Sequence, residues 1–310
     1  MRKWINILIV TLLLAGGAIV CVIRWQAWFG MPAEPLWIGD KIEYTFLPFE
    51  QDTTPESLDI LVLGDIHNRL HREDYDTLAA RVPQADVIAQ SGDWMDRGQE
   101  YYYQLLLREW TASALDSMPV IVCPGNHEYS KGIHKQLSPV WASAFPHPHN
   151  GPVSVPCEHY FIDLPHIRFI VLDTNPLNRL VYLTRTLTWL RTVMNSAGDR
   201  FIVVMMHHPV LSVAKGRFNA NIYAAFRYAL GQADLVIAGH DHSYMRCAPF
   251  VVLNAAGKPK PQHLHFTPQV TDSVPTYSVL TVPDSVPQLI FKTYRFLDGV
   301  AIDSLYVTHD

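Results

Sequence analysis

This sequence has no excess of positive charge. Lys and Arg number 24 against 29 Asp and Glu, a net charge of −5, so no basic field is present to gather nucleic acid, and no nucleic-acid partner is expected. Cysteine is scarce. The four residues, Cys21, Cys123, Cys157 and Cys247, contain no C-x-x-C spacing, which excludes a zinc ribbon and a dense disulfide scaffold. They read as buried or incidental thiols. Internal repeats and low-complexity tracts are lacking. Charged residues make up only 17% of the chain and apolar ones 49%, ample material for a core in one large domain or two small ones.

One uncharged apolar run is present, from Trp4 to Ile23, between Arg2-Lys3 and Arg24-Trp25. At about 1.5 Å of rise per residue it is long enough to cross a hydrocarbon core of about 30 Å. Trp4 and Trp25 sit where interfacial aromatics lie. The terminal amine, Arg2 and Lys3 outweigh Arg24, which keeps the N-terminus cytoplasmic and the rest of the chain extracytoplasmic. A cleaved signal peptide needs a small-x-small site, and none follows the run. A lipid anchor at Cys21 needs a small residue before it, where Val20 stands. The expectation is a single-pass membrane anchor over 1–25, a Pro- and aromatic-rich stalk over 26–57, and one domain over 58–310.

From Leu58 a short apolar run, a polar loop and an amphipathic stretch recur. Strands are predicted at 58–63, 86–89, 119–122, 168–172, 201–206 and 234–238, and helices at 74–82, 100–115, 184–194 and 220–230. Such alternation implies a layered α/β fold. The tail, with strands predicted at 277–282, 288–296 and 301–308 and a hairpin turn at Asp298-Gly299, reads as antiparallel strands completing a second sheet.

The polar residues of interest follow the buried strands. They are Gly64-Asp65-Ile66-His67, GDWMDRG at 92–98, Gly125-Asn126-His127-Glu128, His207-His208-Pro209 and Gly239-His240-Asp241-His242. Open α/β sheets bind ligands at the carboxyl ends of their strands, so five such loops would converge on one crevice. Carboxylates, an amide oxygen and imidazoles, with no thiolate among them, suit Mn, Fe or Zn.

The order D-x-H, G-D-x-x-D, G-N-H-E, H-x-P, G-H-x-H resembles the calcineurin-like metallophosphoesterase superfamily over roughly 58–307. The resemblance implies a four-layer α/β/β/α sandwich of two mixed sheets, here preceded by the N-terminal transmembrane helix, and a dinuclear metal centre. Carried over, Asp65, His67 and His242 would bind one cation and Asn126, His207 and His240 the other, with Asp93 bridging. The GDWMDRG stretch is similar to the serine/threonine phosphatase signature, in which the Asp (here Asp96) orients the GNH histidine (His127) and the Arg (Arg97) contacts phosphate. GHDHSYMR at 239–246 looks instead like the end of the purple acid phosphatase pattern. Those enzymes place a Tyr ligand three residues after the bridging Asp, where this chain has Asp96. It reads as a general member, close to neither branch.

The implied activity is hydrolysis of a phosphomonoester or phosphodiester by a hydroxide bridging two metal ions, with His127 as acid. Arg97 is a candidate phosphate clamp or a loop brace, and Asp173 a partner to a ligand histidine or a local turn former. Two alternatives stand beside this reading. One is a pyrophosphate hydrolase acting on lipid-linked or nucleotide substrates; the other is a metal-binding scaffold without catalysis. Pocket walls are expected from inserts at 129–155, 177–183 and 258–273.

Overall fold

A computed structural model of the chain describes residues 44–49, 57–130, 136–177, 179–217, 219–254, 260–263, 266–283 and 288–309. The anchor expected over 1–25 and most of the stalk lie outside the described residues. Among those described, no helix is long and apolar enough to cross a membrane.

Alternation within the buried strands builds two sheets. In β1 (Leu58–Leu63), Leu58, Ile60 and Val62 face one way, while Leu61 and Leu63 face the other. β2 (Val87–Gln90) and β3 (Val120–Val122) lie parallel beyond β1. β4 (Tyr160–Leu164) and β5 (Ile167–Leu172) form an antiparallel pair, and β6 (Phe201–Met206) and β7 (Leu235–Ala238) run parallel to β5. β8 (Tyr244–Cys247), β9 (Phe250–Val252) and β10 (Val270–Asp272) complete that sheet in the order β10-β8-β9-β7-β6-β5-β4.

The tail does not complete this second sheet, as its pattern implies. β11 (Thr276–Val282) pairs antiparallel with β1, and β12 (Gln288–Arg295) and β13 (Ala301–Thr308) follow outward, giving the order β13-β12-β11-β1-β2-β3. Both sheets are therefore mixed. The hairpin between β12 and β13 turns at Gly299, whose φ is +71°.

Three cores define the layers. Ile60, Ile121, Phe169, Val203, Ile237 and Leu280 are among the side chains packed between the sheets. Outside the first sheet lie α1 (Arg72–Arg81), α2 (Glu100–Trp110) and α3 (Pro139–Ala144), which bury Tyr75, Tyr103, Trp110 and Trp141. Outside the second lie α4 (Leu180–Asn195) and α5 (Ala220–Leu230), which bury Leu190 and Phe226. This is an α/β/β/α sandwich.

Two expected boundaries move. Residues 44–49 belong to the domain rather than to a stalk: Phe46 is buried against Phe145 at 4.6 Å and Trp110 at 5.3 Å, and the Val120 N–H donates to the Leu47 carbonyl at the β3 edge. The insert at 129–155 is partly core, because α3 sends Val140, Trp141 and Ala144 into the same aromatic cluster.

Candidate metal centre

The loops after β1, β2, β3, β6 and β7 interlock through their backbones. Asp65 and His67 donate their N–H groups to the carbonyls of Gly92 and Asp93, and Gly239 donates to the carbonyl of His207. Gly92, at φ +100°, lies so close to the β3 loop that a Cβ on it would fall 2.7 Å from Gly125 Cα. A Cβ on Gly125 would meet Asp93 Oδ1 at 2.1 Å. Only glycine permits this approach.

Five residues of the group are held in the left-handed region: Asp65, His67, Asp93, His240 and His242, with φ between 51° and 74°. Such conformations cost on the order of 1–3 kcal/mol each and persist where the surroundings impose them. Here they aim the side chains inward.

The side chains form two groups sharing one member. Asp65, His67, Asp93 and His242 offer donor atoms that lie within 4.8 Å of one another. In the second group, His207 Nε2 lies 3.2 Å from Asn126 Oδ1 and 3.2 Å from His240 Nδ1. Asp93 Oδ2 stands between them, 3.6 Å from His67 Nε2 and 3.3 Å from His207 Nε2. All seven residues singled out from the sequence are brought together. His208 joins their edge, held by the Thr174 hydroxyl at 2.7 Å and packed on the His240 ring.

The electrostatics fit this donor set to cations. Among the described residues no donor reaches buried Asp65 Oδ1, and the Nε2 atoms of His67 and His242 lie 3.2 Å apart. A buried carboxylate oxygen lacking a donor is costly unless a cation lies beside it. Burial holds His67 down to about 4, and burial, aided by His208 and His207, holds His240 well below its usual value. Both rings are neutral at pH 7 and keep a lone pair to donate. Burial lifts Asp65 to about 7. At Asp93 burial works upward, but His207, His127 and His67 hold the carboxyl well below the usual range. At His207 burial works downward, yet Asp93 raises it to about 9. The His207 Nδ1–H donates to the Ser91 carbonyl at 3.0 Å, which turns Nε2 toward Asp93 and Asn126.

His127 stands at the mouth, its side chain 35% exposed. Its Nδ1–H donates to the backbone carbonyl of Asp96 at 2.5 Å, so Nε2 is the nitrogen left toward the cleft. Asp96 therefore orients His127 through its carbonyl. Its carboxylate lies 4.0 Å from His127 Nδ1 and closer, at 3.5 Å, to His67 Nδ1. Arg97, the candidate clamp, is exposed and does not line the cleft of about 470 Å³ over these residues. Arg69, Arg217 and Lys260 line it instead.

Three supporting carboxylates complete the site. Buried Glu128 accepts the N–H groups of Asp93, Met95 and Gly125 at 3.0, 3.0 and 2.7 Å, tying the β2 loop to the β3 loop. Asp241, which the motif alone does not distinguish from its neighbours, accepts from Ser212, Val213 and Ala214. Asp173 is held by Tyr129, Glu158 and Asn175 rather than by a ligand-type histidine. It accepts from the Tyr129 hydroxyl and from Asn175, whose amide in turn donates to the carbonyls of Pro124 and Gly125. Its support thus reaches the Asn126 loop indirectly.

Residues 58–244 match the family model described as calcineurin-like phosphoesterase. The chain belongs to that family. It is 25% identical over 166 residues to the glycerophosphodiester phosphodiesterase GpdQ of Enterobacter lignolyticus, covering 51% of this chain and 56% of that protein. The chain thus spans about half the length of that curated relative. Among solved structures it shares its fold with a purple acid phosphatase from yellow lupin (TM-score 0.65, 13% identity, 84% of this chain and 55% of that one). It also shares it with a dimetal phosphatase from Danio rerio (TM-score 0.54, 15% identity, 82% and 99%).

Proposed function

We propose that this protein hydrolyses phosphate esters at a dinuclear metal centre. Asp65, His67 and His242 would hold one cation, Asn126, His207 and His240 the other, and Asp93 would be shared. The observation that carries this reading is the position of Asp93, whose Oδ2 lies within 3.6 Å of an imidazole from each group. Cations bound there supply Lewis acidity, polarising phosphoryl oxygens and acidifying water at neutral pH.

The chain's own residues prepare the site. Interlocked loops exclude water from Asp65 and Asp93, which strengthens every electrostatic contact inside. The carbonyls of Ser91 and Asp96 fix the tautomers of His207 and His127. The latter leaves His127 Nε2 to hold a proton beside a leaving oxygen. The apolar run over 4–23 supports a further proposal, a membrane tether with the domain on the extracytoplasmic side. A metal-stripped preparation, reloaded with Mn, Fe or Zn, is expected to regain hydrolysis of phosphomono- or phosphodiesters. Equal activity before and after stripping would overturn the metal-dependent reading.

Two outcomes follow from the packing and the charges. Gly125→Ala is expected to push Asp93 off its position and weaken metal retention by roughly 10–100-fold, the scale of losing a supporting contact at a metal site. Equilibrium dialysis reads this, and unchanged retention would contradict the close approach. In the metal-free chain, His207 keeps a proton against Asp93 until pH rises through about 9. Loading needs that lone pair, so uptake expels the proton and affinity weakens as pH falls below about 9. Calorimetry at pH 8 in buffers of different ionisation heat is expected to show proton release on loading, from His207 and from metal-bound water together. Heats independent of the buffer would refute it.

A further inference from the structure

Resting on the phosphoesterase reading, the geometry points to a second anion subsite on the same cleft, formed by Arg217 and Lys260. We infer that it takes a second phosphoryl group, so that the favoured substrate is a diphosphate-linked ester rather than a simple monoester.

The argument begins with two cations on one oxygen. Arg217 Nη1 and Lys260 Nζ, the latter at 3.1 Å, both donate to the backbone carbonyl of His240. They come from separate loops, one before α5 and one after β9, and both are half-buried. Like charges brought this close repel, and a shared neutral carbonyl does not compensate them. The carboxylates facing Lys260 are Asp65, Asp93 and Asp241. Asp65 and Asp93 are committed to the cations in the proposed centre. Asp241, whose Oδ2 accepts from Ser212, Val213 and Ala214, keeps its charge and offsets one of the two side-chain cations. Among the described residues this leaves one positive charge of the pair over, which an external anion would balance.

The position fits that partner. Arg217 and Lys260 line the same cleft as His67, Asp93, His127 and His242, on the side where His240 carries both. A phosphoryl group bound at the proposed centre would have its neighbour across a P–O–P bridge in the cleft that Arg217 and Lys260 also line. A guanidinium matches two phosphate oxygens and an ammonium adds a point charge. A monoester has no second group to place there. In the reaction, a water oxygen bonds to one phosphorus, the bridging P–O bond breaks, and two phosphates depart with the water's protons. A diphosphate esterified at both ends gives two monoesters, and one esterified at a single end gives a monoester and inorganic phosphate.

The test pairs turnover with binding on the metal-loaded full chain. Arg217→Gln and Lys260→Gln are compared with wild type on a nucleoside diphosphate sugar, a polyprenyl diphosphate in detergent micelles, and p-nitrophenyl phosphate. Each variant is expected to lose roughly 10–100-fold in kcat/KM on the diphosphates, the scale of a charge-assisted contact, with about threefold or less lost on the monoester. The nucleotide and lipid arms show which carrier is used. Calorimetric binding of an α,β-methylene nucleoside diphosphate is expected to weaken by the same factor, while phenylphosphonate binding holds.

Equal losses on all substrates, accompanied by loss of metal, would mean that the pair only braces the His240 loop. No loss on any substrate would also overturn the subsite. A wild type inert on every ester would sink the phosphoesterase reading instead, and the binding arm would still decide the subsite.

Discussion

Asp93→Asn is expected to lower kcat/KM for any phosphate ester by about 10²–10³-fold, the scale of removing an electrostatic group from a preorganised site. The substitution is nearly isosteric. It leaves an oxygen to accept the His127 N–H, which meets Asp93 Oδ1 at 2.8 Å, and so keeps the β3 loop in place. It removes the negative charge lying between His67 and His207. Both proposed cations lose a ligand at once, where a change at His242 or His240 would affect one. The check is turnover measured beside metal content. Wild-type rates in the variant would refute the shared role.

His127→Ala should act selectively. With Nδ1–H committed to the Asp96 carbonyl, Nε2 is free to protonate a departing alkoxide. Esters with poor leaving groups, such as alkyl phosphates, are expected to slow by roughly 10²–10⁴-fold, the usual range for a lost general acid. Nitrophenyl esters, whose leaving group needs little proton assistance, should slow by about tenfold or less. A parallel set of kcat values across leaving groups of graded acidity measures the difference. Equal losses for both classes would show that His127 positions the Asp93 loop rather than moving a proton.

Which parts of this were legible in the sequence follows from where information is local. β1, β6, α5 and β13 have the bounds expected, because apolar runs of one period end abruptly in polar loops. β4, β8, β9 and β10 were not expected. β4 alternates buried and half-buried residues around Asp163, and the other three are only three or four residues long, too short for a period to show. The tail's strands were visible but their partner was not. Pairing β11 with β1 joins residues more than two hundred positions apart, and no local pattern encodes it.

The same division holds at the site. Asp65, Asp93, Asn126, His207 and His240 stand directly after buried strands, so the sheets carry them to one rim. Loop direction decides the remainder. Arg97 lies four residues beyond Asp93 and turns outward, while Arg217 and Lys260 reach the cleft from loops with no strand-end signal. His147, which follows no buried strand, pairs with Glu158 at 2.8 Å and stacks on Tyr160 of β4.

Stepwise addition of Mn(II) to metal-stripped protein, with bound metal and ester hydrolysis read at every step, bears most directly on the paired centre. Activity is expected to rise with occupancy and to saturate at about two ions per chain, one for each group that meets at Asp93. Saturation at a single ion, or hydrolysis that persists with none bound, would contradict it.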